Sequence, residues 1–358
     1  MSLGDVLGGR GADATGFARA SEPPVLHFPA DHGAHPAFRT EWWYVTGNLD
    51  SANGRRFGVQ LVFFRQALAA AVPARAASLA ARDVVLAHAA VTDVDGRVFH
   101  ADERLARLAA GLAELQGPAF GLRFRIACNE WSAAAAPGGD GFLPLDLRAG
   151  GRGFSFALRV APGKPLVLQG EAGLSRKSDE PGNASCYYSM TRLPIDGTIR
   201  VGGAEHAVHG LGWLDREWST SALGPEQVGW DWFSLQLDSG EEVMWYRLRR
   251  RDGSIDAHSR GSFVDAAGAV AVLAPDAVTA TPAGTWQAAD GGARYPARWR
   301  LVCAEPAFDL EVTPLLPDQE LRVLVRYWEG AVAVRGTRGA VPVAGRGYLE
   351  MTGYGRAK

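Results

Sequence analysis

Along the chain, apolar positions alternate with polar ones or run in short blocks broken by Gly, Asp, Asn and Pro. That is the pattern of short strands and turns rather than of long helices. Trp42-Trp43-Tyr44-Val45-Thr46-Gly47-Asn48-Leu49 is β-prone, Asp50 to Gly54 supplies a turn, and Phe57 to Phe64 is apolar on both faces. The two segments therefore predict a hairpin. Further strands are expected at Val84–Val94, Phe120–Cys128, Phe142–Arg148, Phe154–Val160 and Leu166–Gln169. Their near-regular spacing is that of a sandwich or barrel. Two stretches break the rhythm. Ala67 to Arg82 is alanine-rich and is expected to leave the sheet, and Leu105 to Leu115 is expected as a second short helix weakened by Gly111. Residues 1–24 read as a flexible lead-in ending at Pro23-Pro24, followed by the turn-rich segment Phe28 to Pro36.

Sliding the chain over itself exposes a repeat. At an offset of 188, Trp42 to Ser51 lies on Trp230 to Ser239, with Trp42/Trp230, Leu49/Leu237, Asp50/Asp238 and Ser51/Ser239 identical. Tyr44/Trp232, Thr46/Ser234 and Asn48/Gln236 match in kind, all on one parity of the strand. At an offset of 135, Val208-His209-Gly210-Leu211-Gly212-Trp213-Leu214-Asp215 lies on Val343-Ala344-Gly345-Arg346-Gly347-Tyr348-Leu349-Glu350. The same opening and closing strands thus bracket two segments. The chain is expected to be all-β, with two similar antiparallel barrel-like halves in tandem and a few short helices: a lead-in over 1–24, a first half over 25–218, a joint over 219–228 and a second half over 229–358. Pairing the opening strand with the closing one would remove exposed edges, with the glycines allowing the bend. A barrel of this size has room for one small ligand, or is filled by its own side chains.

Composition narrows the function classes. At 358 residues, two domains are the default expectation. The chain is 47% hydrophobic and 21% charged with a net charge of -2, and no Lys/Arg block gives a nucleic-acid footprint. The 44 glycines and 11 tryptophans suit twisted strands and turns. Cys128, Cys186 and Cys303 are far apart and odd in number, so they read as buried thiols rather than a disulfide framework or zinc site. No run approaches the roughly 20 apolar residues of a spanning helix. The first 20 residues lack the pattern of a signal peptide, which leaves a cytoplasmic protein or a leader already removed.

The densest chemical cluster is Trp213-Leu214-Asp215-Arg216-Glu217-Trp218, followed by Gln227, Trp230, Asp231 and Trp232. On a strand, Asp215 and Glu217 share a face with Trp213, and Arg216 and Trp218 share the other. An acid held against indoles is poorly solvated, which raises its pKa and suits it to donate a proton, while the indoles can stabilise a carbocation. The alternative is an Asp/Arg/Glu salt network tying the halves together. His32 and His35 have metal-like spacing, with His27 and Asp31 nearby, but no third ligand is evident, and neither a metal nor a cofactor is expected. His88, alone among apolar residues, is either a core histidine or a pocket group. No Gly-x-Ser-x-Gly elbow, Walker loop, His-Glu-x-x-His or dinucleotide fingerprint occurs.

Several runs resemble one family. Phe28-Pro-Ala-Asp-His-Gly-Ala-His-Pro, Thr40-Glu-Trp-Trp-Tyr-Val-Thr-Gly, Tyr187-Tyr-Ser-Met-Thr-Arg, Trp213-Leu-Asp-Arg-Glu-Trp-Ser, Gly229-Trp-Asp-Trp-Phe and Gly347-Tyr-Leu-Glu-Met-Thr-Gly-Tyr look like the AttH family. That family is often labelled "predicted secreted hydrolase" and is related to hydroxyneurosporene synthase, the carotenoid 1,2-hydratase. The resemblance covers nearly the whole chain after residue 25. It implies two lipocalin-like (calycin) barrels, export to the periplasm or cell surface, a hydrophobic lipid, isoprenoid or polyene ligand, and an ABC-transporter partner. Asp215 and Trp218 match the pattern of the hydratases, which carry a histidine and an asparagine where this chain has Arg216 and Glu217. The expectation is a protein that binds a long apolar ligand and hydrates an isolated alkene: Asp215 and Glu217 as the catalytic acids, with Trp42, Tyr44, His88, Tyr188, Trp218, Gln227, Trp230 and Trp232 around the ligand. Asp215 would protonate the double bond, the indoles would shield the cation, and Gln227 or Tyr188 would place the water. The alternatives are a non-catalytic periplasmic lipid carrier or transporter accessory, and a hydrolase using Ser185 or Ser189 with a histidine.

Overall fold

The computed structural model describes residues 14–71, 81–118, 121–221 and 223–355. In the first sheet, β1 (Thr40–Ser51), β2 (Arg56–Ala67), β3 (Asp83–Asp93) and β4 (Val98–Arg107) form one antiparallel meander. A second meander is made by β5 (Ala113–Gln116), β6 (Arg125–Cys128), β7 (Trp131–Ala135), β8 (Leu145–Gly151) and β9 (Phe154–Val160). The short β10 (Val167–Leu168) and β11 (Leu174–Arg176) lie against β12 (Ala184–Val201), which joins β9 to β13 (Ala204–Ser219). In the second sheet, β14 (Gln227–Leu237), β15 (Glu242–Arg250), β16 (Arg260–Val264) and β17 (Val270–Leu273) repeat the first meander. They are followed by β18 (Val278–Gln287), β19 (Arg294–Cys303), β20 (Phe308–Pro314), β21 (Glu320–Arg322), β22 (Arg326–Arg338) and β23 (Val341–Met351). The result is all-β, two antiparallel sheets in a lipocalin-like two-barrel arrangement.

The opening and closing strands of each repeat do pair: β1 with β13, placing Tyr44 opposite Asp215, and β14 with β23, placing Trp232 opposite Glu350. This pairing lies mid-sheet, so it does not remove the edges. In the first sheet the seam lies between the two meanders, where Arg104 of β4 donates to Glu130 and to the Gly150 carbonyl at 3.2 Å. The repeated glycines allow close backbone approach. A Cβ at Gly210 would lie 2.2 Å from the Asn48 carbonyl oxygen, and one at Gly345 would lie 2.4 Å from that of Gln236.

The helix expected over Leu105–Leu115 does not form. β4 continues to Arg107, and Ala110 (φ 53°) and Gly111 (φ 72°) turn the chain into β5, a left-handed conformation that no α-helix accommodates. Most of the alanine-rich excursion, residues 72–80, lies outside the described residues. Helix is present as 3-10 structure, as in the three-residue turn Ala30–His32. Among the described residues no helix is long and apolar enough to cross a membrane.

Each sheet wraps its own core. Trp43, Val45, Leu61, Phe63, Leu214 and Trp218 face the first, and Phe233, Leu235, Trp245, Trp299, Trp328 and Leu349 the second. The first interior retains a void of about 10 Å³, too little for even one small ligand, so it is filled by its own side chains. The opposite faces of β1, β2, β12 and β13 are buried too, against β14, β15, β22 and β23, through Tyr44, Val62, Phe64, Tyr187, Trp213, Trp232, Tyr246, Tyr327 and Tyr348. This third cluster explains why Phe57–Phe64 is apolar on both faces. It also explains the parity of the repeat, because Tyr44/Trp232 and Asn48/Gln236 all point into it. The interface is a local two-fold: Asn48 Nδ2 donates to the Gly347 carbonyl at 3.1 Å, and Gln236 Nε2 donates to the Gly212 carbonyl at 2.9 Å.

Candidate functional site

Between the two sheets the third cluster opens into a cavity of about 80 Å³. Trp42, Tyr44, Phe64, Trp230, Trp232, Tyr246 and Leu248 form its apolar walls, and Lys177, Ser185, Tyr187, Asp215, Glu217 and Glu350 bring polar groups to it. Trp42, Ser221, Leu223 and Trp230 are half-exposed and make its outer end. Strand parity selects these residues. Even positions of β1 and β14 and odd positions of β12 and β13 face the partner sheet, so each sheet delivers both an indole and an acid to the cavity: Trp42, Asp215 and Glu217 from the first, Trp230, Trp232 and Glu350 from the second.

Asp215 is 4% exposed and surrounded by neutral donors. Its Oδ1 accepts from Ser189 Oγ at 2.6 Å and Trp213 Nε1 at 2.7 Å, and its Oδ2 accepts from Tyr187 Oη at 2.6 Å. Among the described residues no Lys, Arg or His forms an ion pair with it. Burial pushes the carboxyl up to about 7, against the hydrogen bonds from Ser189, Tyr187 and Trp213 that favour its ionised form. Trp232 donates to Tyr187 Oη at 3.2 Å and packs edge-on against Trp213 and Tyr44, with centroids 6.3 and 5.4 Å apart.

Glu217, the second predicted acid, reaches the same cavity in a different state. Lys177 Nζ lies 3.1 Å from its Oε1, Ser185 donates to it, and the ammonium sits 4.6 Å from the Tyr246 ring centroid. Its charge is thus balanced. Across the cavity, Trp230 Nε1 donates to Glu350, while Tyr44 donates to the neighbouring Glu329. Burial raises both of these carboxyls, and each acts on the other.

Arg216 faces the first barrel, as the alternation requires. It pairs with Glu41 at 2.5 Å, donates to the Gly33 carbonyl and lies 3.7 Å from the Trp43 ring centroid. The expected salt network tying the halves together is therefore absent at this point: Arg216 is not paired with Asp215 or Glu217, and its network belongs to the first barrel. Trp218 and Tyr188, placed around the ligand by sequence, are on this same inner face. Trp218 stacks on His35 at 3.7 Å, and Tyr188 Oη lies 2.6 Å from His32 Nδ1. Gln227 is also turned away, with its amide holding the Gly224 N–H at 2.8 Å and the Lys177 carbonyl. His88 is buried at the sheet interface, bonded to Tyr327 Oη at 2.8 Å, with its imidazole pushed down to about 3 by burial.

Of the residues singled out in the sequence, Asp215, Glu217, Trp42, Tyr44, Trp230 and Trp232 line the cavity, whereas Trp218, Tyr188, Gln227 and His88 do not. For Trp218 the reason was already in the parity, because it cannot share a face with Asp215 on one regular strand. Tyr187, Lys177, Glu350 and Glu329 were missed. Glu350 had a signal, since the offset of 135 lays it on Asp215. Lys177 had none, because it arrives on the short β11 turn that only tertiary pairing places.

A family model described as AttH-like matches residues 19–354. Among solved structures, an AttH from Nitrosomonas europaea is 36% identical and superposes with a TM-score of 0.82, covering 95% of this chain and 100% of that one. Kievitone hydratase from Nectria haematococca is 16% identical with a TM-score of 0.70, covering 94% of this chain and 95% of its own. CghA is 13% identical with a TM-score of 0.60, covering 96% and 97%. At such identities these last two share the fold. No curated protein matches the chain.

Proposed function

The chain belongs to the AttH-like family, and from that premise we propose that it is a hydro-lyase that hydrates an isolated, branched carbon–carbon double bond at the end of a long apolar ligand. The observation that carries this reading is Asp215: a carboxyl in an aromatic cavity, held by three neutral donors, with no cation to fix it in its ionised form. Such a group can hold a proton near neutral pH and deliver it to a weakly basic alkene. The Asp215 O–H bond breaks as a C–H bond forms at the less substituted carbon, and the π electron pair is consumed. The tertiary cation left behind lies among Trp42, Trp230 and Trp232, whose ring faces favour it. Water then adds to the cation. The cavity takes the reacting end of the ligand, and the rest of an isoprenoid or polyene chain leaves past Trp42, Leu223 and Trp230.

The two-barrel likeness to a kievitone hydratase supports hydration as the class of reaction. The departure from the carotenoid hydratases at position 216 removes nothing from this cavity, because Arg216 points the other way. Replacing Asp215 with Asn keeps the shape and removes the acid. Hydration of a branched terminal alkene should fall by at least about a hundredfold, with binding of an apolar polyene, read by tryptophan quenching, unchanged. An unaltered rate in Asp215→Asn would sink the proposal.

The balanced Glu217–Lys177 pair, which ties up one of the two expected acids, favours a second reading: a non-catalytic carrier of a lipid, isoprenoid or polyene, which family resemblance would place in the periplasm or outside the cell beside an ABC transporter. It predicts quenching by such ligands with no new product by mass spectrometry. Hydrolysis has less support, since Ser185 and Ser189 donate to Glu217 and Asp215 rather than to a histidine. Serine-directed inhibitors are expected to leave both unlabelled.

A further inference from the structure

The proposed hydration leaves one proton without a destination, the one released by the attacking water. We propose that Glu350, backed by Glu329, is the second acid–base group of this cavity and accepts that proton. The inference rests on the reading of Asp215 above and extends it.

Three observations carry it. Glu350 lines the same cavity as Asp215 and occupies the matching place in the second repeat: Asp215 lies opposite Tyr44 on β1, and Glu350 opposite Trp232 on β14. The local two-fold that exchanges Asn48–Gly347 with Gln236–Gly212 therefore brings the two carboxyls to the cavity from opposite sheets. Second, Glu350 is directly opposite Glu329 in the β22/β23 ladder, where the side chains of an antiparallel pair stand on one face. Third, Glu329 accepts from Tyr44 on one oxygen, and its other oxygen is buried without a donor. Two carboxyls side by side in a dry site cannot both be charged, so they share a proton. The partnerless oxygen of Glu329 is where that proton belongs, facing Glu350. Glu350 remains the ionised member, with Trp230 donating to it. Among the described residues no lysine or arginine forms an ion pair with it, in contrast to Glu217.

The cycle then balances. Asp215 starts protonated and Glu350 ionised. Asp215 gives its proton to carbon, a water lone pair forms the C–O bond, and one water O–H bond breaks with its proton passing to Glu350. The product is the tertiary alcohol. The enzyme is left with Asp215 ionised and Glu350 protonated, and transfer of one proton from Glu350 to Asp215 through a cavity water restores the start. Glu329 touches no reacting atom; it is a positioning residue that keeps Glu350 basic and aimed.

The test is Glu350→Gln, with Glu350→Asp as a check that keeps the charge should the amide fold poorly. Two readouts are used: the pH–rate profile for a branched alkene, and the affinity for a long-chain N,N-dimethylamine, a stable stand-in for the cation, relative to the neutral hydrocarbon of the same shape. In Glu350→Gln we expect kcat to fall at least about tenfold, the acidic limb of the profile to vanish while the alkaline limb from Asp215 stays, and the amine preference to drop about tenfold or more. Glu350→Asp should retain most of that preference. Should the wild type convert no alkene, the hydratase reading fails but the amine preference still decides: its loss in Glu350→Gln supports Glu350 as the ionised group of the cavity. A wild type without amine preference, or a Glu350→Gln protein with preference and acidic limb intact, overturns the inference.

Discussion

Asp215 and Arg216 are neighbours in the chain, yet β13 sends them to opposite faces and into opposite kinds of surroundings. On the inner face, Arg216 meets a carboxylate, carbonyls and an indole ring, and Arg65 meets the same Glu41. Burial alone would raise Glu41, but the two guanidinium groups hold it well below the usual carboxylate range. Every charge there has a counter-charge, and the cluster locks the Phe28–Pro36 loop onto the barrel. On the outer face Asp215 is buried as deeply but is offered only neutral donors, so its proton stays within reach of neutral pH. Both are buried polar clusters; the kind of partner, not the depth, separates a structural clamp from a group free to exchange a proton.

The contrast can be broken in three places. The largest effect is expected on the inner face. Glu41→Leu leaves Arg216 buried without its counter-charge and should cost about 3–5 kcal/mol in denaturant unfolding, with little change in polyene quenching at the cavity.

Next comes the pH dependence of stability. The folded pKa of Asp215 is raised from 3.8 to about 7, so the native state holds a proton that the unfolded chain has released. The favourable contribution is present at low pH and is lost as pH rises through that window, up to ~4 kcal/mol for a shift of this size. Asp215→Asn should flatten this slope in urea titrations between about pH 4 and 8; a slope equal to that of the wild type would place the titrating group elsewhere.

The smallest effect separates the two faces by ligand. Trp218→Phe should lose about 1–2 kcal/mol of stability and leave polyene affinity within about twofold, a change under ~0.5 kcal/mol. Trp230→Phe should weaken the polyene several-fold. Equal effects of the two substitutions would mean that the ligand reaches the inner face after all.

Much of this was legible in the chain. The repeat at offsets of 188 and 135 marked the strands that pair, β1 with β13 and β14 with β23. Alternation along Trp213–Trp218 separated Asp215 and Glu217 from Arg216 and Trp218, and the structure keeps that division. The shared parity of Tyr44/Trp232 and Asn48/Gln236 in the two repeats was visible too, although its meaning, an interface between the repeats, was not. Leu105–Leu115 misled because its composition suits a helix while Ala110 and Gly111 turn left-handed. Gln227 misled because proximity in sequence to the acidic strand says nothing about where a side chain points, and Tyr188 misled because its neighbour Tyr187 is the one of the pair that faces the cavity.

The sequence by itself determined the all-β character, the duplication and the two-faced alternation, because these depend on short-range periodicity and on each strand repeating its own pattern. Only the tertiary structure decided what lies on each face. That one face of β13 closes over a filled barrel while the other meets a second sheet, that Lys177 arrives to neutralise Glu217, and that Glu350 comes round to stand in the same cavity as Asp215 all follow from contacts between residues far apart in the chain. Burial and partner identity, which set the protonation of these acids, exist only once both sheets are folded against each other.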